Sequence, residues 1–272
     1  MFTPINNFQA FILGICIGSF LNVVVYRFQK NLSIIKPRSF CPNCKNKLSW
    51  RENIPLLSYL IQRGKCLHCN GSISFRYPLI EFLTGILFVI FIKSSPSLFI
   101  FNSSLFLNLF FNWLFLSLLI CIALIDIDSF WIPQGLINFG FISGILGLII
   151  IGFFDNQYIH FYLLLKGLST SLAAFFIFES FRYLAKYIFK KDAIGRGDSK
   201  LVAMLALWLG PIGTLFAVGI SYIIAAIFCL VGMSINLVRY RQVIPFAPFL
   251  SLGGLIMWFL GNEFIFEKIL RI

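Results

Sequence analysis

Acidic side chains are scarce in this chain, which carries 10 Asp and Glu residues against 22 Lys and Arg among its 272 residues. Charged residues make up 12% of the sequence and hydrophobic residues 59%, including 34 Phe, whereas soluble domains are about 25% charged. This composition excludes an ordinary soluble domain and predicts an all-α polytopic membrane protein, because apolar segments cross a bilayer as helices. Basic residues are typical of the cytoplasmic loops of such proteins. We therefore attribute the net charge of +12 to topology and expect no nucleic-acid partner.

Histidine and the common nucleophile motifs are also lacking. The two histidines, His68 and His160, lie near no credible serine or cysteine nucleophile, and we expect no chemical role for His160. The sequence contains neither the H-E-x-x-H motif of metalloproteases nor a phosphate-binding loop. These absences leave carboxylates as the candidate catalytic side chains. The N-terminus also lacks the basic segment of a cleavable signal peptide, so we expect the first apolar run to remain as a span.

Long apolar runs give the order of the expected membrane spans. A span needs about 20 residues, and six single runs approach or exceed that length: 8–26, 79–95, 104–125, 132–153, 159–185 and 246–261. The segment between Asp198 and Arg239 has about 40 residues, which reach about 60 Å as a helix and so allow two crossings of about 30 Å. Gly210-Pro211 is the expected break between them. We predict about eight transmembrane helices, with a re-entrant or tilted piece as the alternative for residues 199–210.

Basic residues fix the expected orientation. The stretch 27–77, which follows the first span, contains ten Lys and Arg residues and a single acid, Glu52. Such an imbalance places a short loop in the cytoplasm. Further basic loops at 186–200 and 239–241 then fall on the same side, and both termini are predicted to lie outside.

Two cysteine pairs in this cytoplasmic loop have the spacing C-x2-C-x21-C-x2-C: Cys41, Cys44, Cys66 and Cys69. Such pairs bring four thiolates into tetrahedral geometry around Zn²⁺, and cytoplasmic thiols stay reduced, which disfavours disulfides. A closed four-thiolate site is structural, and it supplies folding energy to a loop with little core. A redox pair and a metal-free loop are the alternatives, and His68 could compete as a ligand. The other cysteines lie within apolar runs, where small buried side chains are expected: Cys16, Cys121 and Cys229.

Two acids, Asp126 and Asp198, lie at the ends of long apolar runs. A carboxylate at membrane depth is costly, which makes it a candidate for function. On the expected topology both acids lie at cytoplasmic helix ends, where they can form one site. Two carboxylates brought together share a proton, so one acts as a base toward water and the other as an acid toward a peptide carbonyl. The sequence therefore predicts an aspartyl dyad for peptide hydrolysis at the cytoplasmic face.

Helix capping is the alternative role for acids at such positions. Asp198 could be the N-cap of the helix that follows it, and Asp128 could cap the next span. Asp126 is joined directly to an apolar run and has no such alternative. Gly195 and Gly197 precede Asp198 and allow close backbone approach, which suits an extended substrate strand lying against the site.

Six ordered segments, spread over nearly the whole chain, resemble those of the type IV prepilin peptidase family. They are Gly18-Ser19-Phe20-Leu21-Asn22-Val23-Val24 with Arg27, residues 52–60, residues 76–81, Leu124-Ile125-Asp126-Ile127-Asp128 with Ile132-Pro133, Gly195-Arg196-Gly197-Asp198-Ser199-Lys200-Leu201, and residues 244–249. Members of this family are bacterial enzymes of the cytoplasmic membrane. They remove the leader from type IV pilins and pseudopilins and then methylate the new N-terminus.

The resemblance implies that the catalytic residues are Asp126 and Asp198 and that the four paired cysteines bind zinc. It also implies S-adenosylmethionine as methyl donor, prepilins or pseudopilins as substrates, and a lipid bilayer as the surroundings. The donor site is expected in the cytoplasmic loop and nearby helix ends, with Glu81 as a candidate. Members often carry Asp where this chain has Gln134. If that position helps to bind substrate, the specificity of this chain differs, but the aspartate pair is unaffected.

The expected division of the chain has three parts. Residues 1–26 form the first span, residues 27–77 the four-cysteine loop associated with methyl transfer, and residues 78–272 the transmembrane peptidase core. Two other functions fit the same residues. One is a peptidase without methyl transfer, and the other is a non-enzymatic membrane scaffold that binds a partner through its zinc loop.

Overall fold

Helices form nearly all the regular structure of the protein in the part that the computed structural model describes, residues 5–92, 105–154, 157–190, 195–239 and 242–264. In chain order they are α1 (Asn7–Gln29), α2 (Leu57–Ile61), α3 (Arg76–Ile90), α4 (Leu105–Ser129), α5 (Gln134–Phe154), α6 (Gln157–Phe189), α7 (Arg196–Ser234) and α8 (Ala247–Phe264), with a 3₁₀ turn at Arg51–Asn53. The prediction of an all-α protein is confirmed. By internal packing the chain forms two compact units, Met1–Lys93 and Ser94–Ile272.

Glycines let α1 and α3 pack closely within the first unit. A Cβ on Gly14 would lie 2.7 Å from the Cα of Gly85, and a Cβ on Gly18 would lie 2.8 Å from the Cα of Glu81. Gly14 and Gly18 have the G-x-x-x-G spacing that small residues adopt where membrane helices approach each other. This close approach brings the buried Glu81 against α1.

Tryptophan rings form the core of the second unit. Trp208 of α7 stacks on Phe115 of α4 with ring centroids 4.8 Å apart, and Trp258 of α8 lies 4.5 Å from the same phenyl ring. Both indole N–H groups are buried and bonded, that of Trp208 to the Gly140 carbonyl at 2.9 Å and that of Trp258 to Asn112 at 3.0 Å. Because a buried indole N–H needs a partner, these bonds join α7 to α5 and α8 to α4, and the ring contacts with Phe115 bring the two pairs together.

A break at Gly210 divides α7 into two arms. Gly210 has φ 71° and ψ −177°, a conformation essentially restricted to glycine, and Pro211 follows it. In one straight helix Asp198 and Tyr222 would lie about 36 Å apart, but the two side chains interact electrostatically. The chain therefore reverses direction at Gly210, and the predicted break is confirmed.

Four of the described helices are long and apolar enough to cross a membrane: α1, α4, α6 and α7. The chain is a multi-pass membrane protein, as predicted. Shorter apolar stretches lie in α5 and α8, at Gln134–Ile150 and Ala247–Gly261. The first arm of α7, residues 196–209, is about 21 Å long, shorter than a hydrocarbon core of about 30 Å, which favours the re-entrant or tilted alternative there. The number of crossings and the side of each terminus stay predictions, and residues 1–4 and 265–272 lie outside the described part.

Candidate active site and metal centre

Asp126 lies in the last turn of α4 with its carboxylate turned into the protein. The residue is only 5% exposed, and its Oδ2 accepts a hydrogen bond from the backbone N–H of Ala247 at 3.1 Å. Ala247 is the first residue of α8, and the first N–H groups of a helix have no partner within the helix. The carboxylate therefore completes the start of α8, and that helix in turn fixes one carboxylate oxygen.

Asp198 is the third residue of α7, so the expectation that it is the N-cap is wrong. The N-cap is Gly195, whose backbone N–H donates to Oδ2 of Asp198 at 3.2 Å. An acid at the third helical position commonly reaches back to the N-cap in this way. A Cβ on Gly197 would lie 3.0 Å from Cδ1 of Ile132, so the Ile132 side chain packs against this glycine. The substrate strand expected to lie against the two glycines stays a prediction.

Asp126 and Asp198 are brought together within the second unit. Their carboxyl groups are close enough to interact electrostatically. Tyr222, on the second arm of α7, also interacts with Asp198, and its ring centroid lies 5.0 Å from that of Phe246, just before α8. The site is thus formed by the end of α4, both arms of α7 and the start of α8. Tyr222 was not predicted, because its position depends on the reversal at Gly210.

Asp128 is exposed in the last turn of α4. The expectation that it caps the next span is wrong, because α4 continues to Ser129 and α5 begins only at Gln134. Two residues along an α-helix differ by about 200° in direction. Asp126 can therefore face the interior while Asp128 faces outward.

Polar side chains join the starts of α5 and α7. The Lys200 ammonium donates to Oε1 of Gln134, and Nε2 of Gln134 donates to Oδ1 of Asn138 at 2.8 Å. Gln134 is the position at which the chain departs from the expected family pattern. The Gln134 amide is neutral, so it does not balance the positive charge of Lys200, which lies two residues after Asp198.

An ion pair between a buried arginine and a half-buried glutamate lies where α6 meets the start of α7. Arg182 is 4% exposed and donates to Glu179 one turn earlier in α6. Glu179 also interacts electrostatically with Arg196, the first residue of α7. Nothing in the linear pattern marks this pair, since basic residues are ordinary at the end of a span.

The sulfur atoms of the four paired cysteines converge on one point in the first unit. The Sγ atoms of Cys41, Cys44, Cys66 and Cys69 all lie within 4.8 Å of one another, and those of Cys41 and Cys69 are 3.9 Å apart. In a tetrahedral site with Zn–S bonds of about 2.3 Å, the sulfurs are roughly 3.8 Å apart. The cluster can hold a metal ion, as predicted.

Both cysteine pairs sit on the same kind of local turn. Lys45 and Asn70, each four residues after the first cysteine of a pair, have positive φ values of 60° and 53°. Their N–H groups donate to the carbonyls of Cys41 and Cys66 at 2.8 and 2.9 Å.

The hydrogen bond from the Cys44 backbone lowers the pKa of the Cys41 thiol to about 7. The pKa of the Cys69 thiol is lowered by a hydrogen bond from the Gly71 backbone, but desolvation and the neighbouring sulfurs together raise it to about 11, so the first proton leaves the cluster at Cys41. A thiol that ionises readily suits metal binding, because the thiolate is the ligand.

His68 pairs with Glu52 and takes no part in the sulfur cluster. Its Nε2 lies 3.2 Å from Oε1 of Glu52, and Oε2 of the same carboxylate accepts the Ser49 N–H at 2.7 Å. The hydrogen bonds from Ser49, and then the neighbouring His68, hold the pKa of Glu52 below its ordinary value. The expectation that His68 could compete as a metal ligand is therefore wrong. The side chain of His160 lies outside the described part.

The remaining cysteines are not all buried. Cys121 is buried, as expected, but Cys16 is exposed on α1 and Cys229 is half-buried on α7. The expectation of burial is wrong for Cys16 because an apolar sequence marks a span without showing which face packs on protein and which faces lipid.

A cavity of about 180 Å³ lies in the first unit between α1, the cysteine turns, α2 and α3. Arg27, at the end of α1, is buried and donates to three carbonyls of the following loop. Two acids line the cavity, Glu52 and Glu81. Oε2 of Glu81 accepts the backbone N–H of Leu56 at 2.8 Å. Glu81, the residue expected near the methyl-donor site, thus lines a cavity.

These features define a polytopic membrane protein with paired acids at helix ends and a four-thiolate loop. The chain belongs to the type IV leader peptidase family, whose profile matches residues 113–230, and the profile of the bacterial peptidase A24 N-terminal domain matches residues 12–94. The family resemblance predicted from six segments is confirmed. No solved structure matches the chain.

Curated relatives are similar over most of the chain. The prepilin leader peptidase/N-methyltransferase of Myxococcus xanthus is 35% identical over 216 residues, which are 76% of this chain and 57% of that protein. The type 4 prepilin-like proteins leader peptide-processing enzyme of Escherichia coli is 33% identical over 89% of both chains. The prepilin leader peptidase/N-methyltransferase of Bacillus subtilis is 32% identical over 94% of both chains. The match thus spans a little over half of the first relative and nearly all of the other two.

Proposed function

We propose that this chain removes the leader peptide from type IV prepilins or pseudopilins and then methylates the new N-terminal residue. The family and the names of the M. xanthus and B. subtilis relatives support both activities. The observation that carries the peptidase half is the proximity of Asp126 and Asp198, each held by a backbone N–H. In this proposal the protein lies in the bacterial inner membrane with its dyad at the cytoplasmic face.

The proposed hydrolysis uses the two carboxyl groups as a unit. The ionised member takes a proton from water, whose oxygen adds to the scissile carbonyl, while the protonated member donates to the carbonyl oxygen. The C–N bond then breaks, and the leaving amine takes a proton from the dyad. Because the protons belong to the pair, the roles are assigned to Asp126 and Asp198 together.

Backbone donors give the dyad its fixed geometry. The N–H groups of Ala247 and Gly195 each hold Oδ2 of one carboxyl group. Among the described residues no donor reaches Oδ1 of either acid, which suits these oxygens for contact with water and substrate. Such prior positioning lowers the barrier because the reacting groups need no rearrangement.

The four-cysteine loop serves methyl transfer in this proposal. Residues 27–77 form the associated loop, and residues 78–272 contain the peptidase core. The four thiols fit Zn²⁺, and the ion would keep the loop folded. S-adenosylmethionine supplies the methyl group when bound.

Mass spectrometry of a type IV prepilin co-expressed with this chain tests the proposal. A cut product with an N-methylated terminus is expected. A cut product with a free amine would restrict the chain to the peptidase half, and an uncut precursor would contradict both halves. The chain carrying Asp126→Asn and Asp198→Asn together is the control for cleavage by host enzymes.

A further inference from the structure

The cavity in the first unit is too large to be a packing defect. The space open to the centre of a water-sized sphere is about 180 Å³, whereas one buried water needs about 10–15 Å³ by the same measure. Four aromatic rings line it, those of Tyr26, Phe40, Tyr59 and Tyr77. A concave site with aromatic walls and a few placed polar groups is typical of small-molecule binding.

One wall of the cavity is built where α1 and α3 approach each other. A Cβ on Gly18 would lie 2.8 Å from the Cα of Glu81, and Nδ2 of Asn22 donates to the Tyr77 carbonyl at 3.1 Å. The Ser19 hydroxyl lies within reach of the Glu81 carboxylate. These three α1 residues belong to the first family-like segment, which therefore positions Glu81 at the cavity.

The opposite wall contains a strained turn that Glu81 holds in place. Leu56 has φ 60° and ψ −51°, and the N–H of Leu57 donates to the Pro55 carbonyl at 2.6 Å. This is a three-residue γ-turn of the rare, strained form. The N–H of Leu56 donates to Glu81 at 2.8 Å. Strained backbone of this kind clusters at ligand sites.

Glu81 lacks a cationic partner among the described residues, although it is only 8% exposed. Arg27 lines the same cavity, but its guanidinium donates to three loop carbonyls. Glu52, the other acid of the cavity, is occupied by His68 and Ser49. A buried carboxylate without a counter-charge is costly, and a cationic ligand would remove that cost.

We propose that this cavity binds the methyl donor S-adenosylmethionine, with the Glu81 carboxylate facing its positive charge and the aromatic rings against its sulfonium and adenine. The inference rests on the proposed function, since only a methyltransferase needs this ligand. A cation is stabilised both beside a carboxylate and over an aromatic face. In the transfer, the lone pair of the substrate amine forms the new N–C bond and the S–C electron pair stays on sulfur. The methylated ammonium then releases its proton to water.

Binding to the full-length, metal-loaded protein in detergent micelles tests the assignment. The ligands are S-adenosylmethionine and S-adenosylhomocysteine, the thioether that lacks the sulfonium charge. Glu81→Gln keeps an oxygen that can accept the Leu56 N–H but removes the negative charge. Glu52→Gln is the matched control from the same cavity. We expect Glu81→Gln to weaken S-adenosylmethionine binding at least about tenfold and to weaken binding of the thioether much less. We expect Glu52→Gln to weaken S-adenosylmethionine binding less than Glu81→Gln does.

Other outcomes overturn the charge pairing. Equal losses for the two ligands in Glu81→Gln would assign Glu81 a purely structural role, and unchanged affinity would leave it no role in binding. A larger loss of S-adenosylmethionine affinity in Glu52→Gln than in Glu81→Gln would show that Glu52, and not Glu81, faces the positive charge of the ligand. The metal content and melting temperature of each variant show whether it is folded.

Cross-linking of labelled S-adenosylmethionine to the wild-type protein, followed by peptide mapping, needs no variant. We expect the label in residues 19–27, 39–42, 52–62 or 77–81, which line the cavity. Binding and methylation with the label confined to residues 94–272 would overturn the cavity assignment alone. A wild-type protein that neither binds the donor nor methylates prepilin would overturn the methyltransferase half of the proposed function as well.

Discussion

The carboxylate of Asp126 accepts a hydrogen bond from the backbone N–H of Ala247 at 3.1 Å, which joins the end of α4 to the start of α8. The donor is a backbone group, so most substitutions at Ala247 leave it in place. The contact ties the position of one dyad acid to the packing of a helix far along the chain. Changes in that helix should therefore alter the dyad without touching either aspartate.

Proline at position 247 removes the donor but also adds ring atoms at a fully buried position, so the melting temperature of the variant is measured beside its cleavage rate. Proline is well tolerated at the first helical position, where the N–H has no helical partner. We expect Ala247→Pro to fold but to cleave prepilin about 10- to 100-fold more slowly, because hydrogen bonds to charged groups contribute about 1.5–3 kcal/mol. Ala247→Gly keeps the N–H and is the control. Equal cleavage rates for the two purified variants would show that the contact has no role in catalysis.

The packing of α7 on α8 can be tested at Gly253. A Cβ there would lie 2.2 Å from the carbonyl oxygen of Ala217 and 2.2 Å from Oγ of Ser221. The carbonyl cannot move without its helix, so we expect Gly253→Ala to lower stability by about 1–3 kcal/mol. A Cβ on Gly219 meets open space, and Gly219→Ala should be neutral or slightly stabilising. Thermal unfolding in detergent measures both, and similar melting temperatures would contradict this packing.

Loss of one thiol should remove the metal from the four-cysteine cluster. Cys66 is 3% exposed and belongs to that cluster. We expect Cys66→Ser or a strong chelator to abolish zinc binding and to make the loop sensitive to protease, because the metal supplies its folding energy. Cys16→Ser, outside the cluster, should retain the metal. Elemental analysis checks both, and full zinc content in Cys66→Ser would contradict the site.

Features that depend on local sequence pattern could be predicted. The apolar runs 8–26 and 104–125 fall on α1 and α4, and the Gly210-Pro211 break is where the chain turns. The two C-x2-C pairs locate the sulfur cluster, since each pair forms its own turn. Asp126 and Asp198 were found because acids are rare next to long apolar runs.

Features that depend on tertiary packing could not be predicted. The bond from Ala247 to Asp126 comes from a backbone group, which carries no sequence signal. Tyr222 reaches Asp198 only because α7 reverses. The alternative that placed Asp198 at the N-cap was wrong because α7 begins slightly earlier in the chain, at Arg196, and Asp198 caps the helix from its third position. Linear patterns also could not show that Glu81 faces a cavity.

Cleavage of a type IV prepilin by purified single-aspartate variants is the most direct test of the dyad. Asp126→Asn and Asp198→Asn should each lower the rate by about 10²–10⁴-fold or abolish cleavage, because each removes one acid–base group. Asp128→Asn, at an exposed position on α4, should have a much milder effect and is the matched control. Full cleavage by either Asp126→Asn or Asp198→Asn would contradict the account.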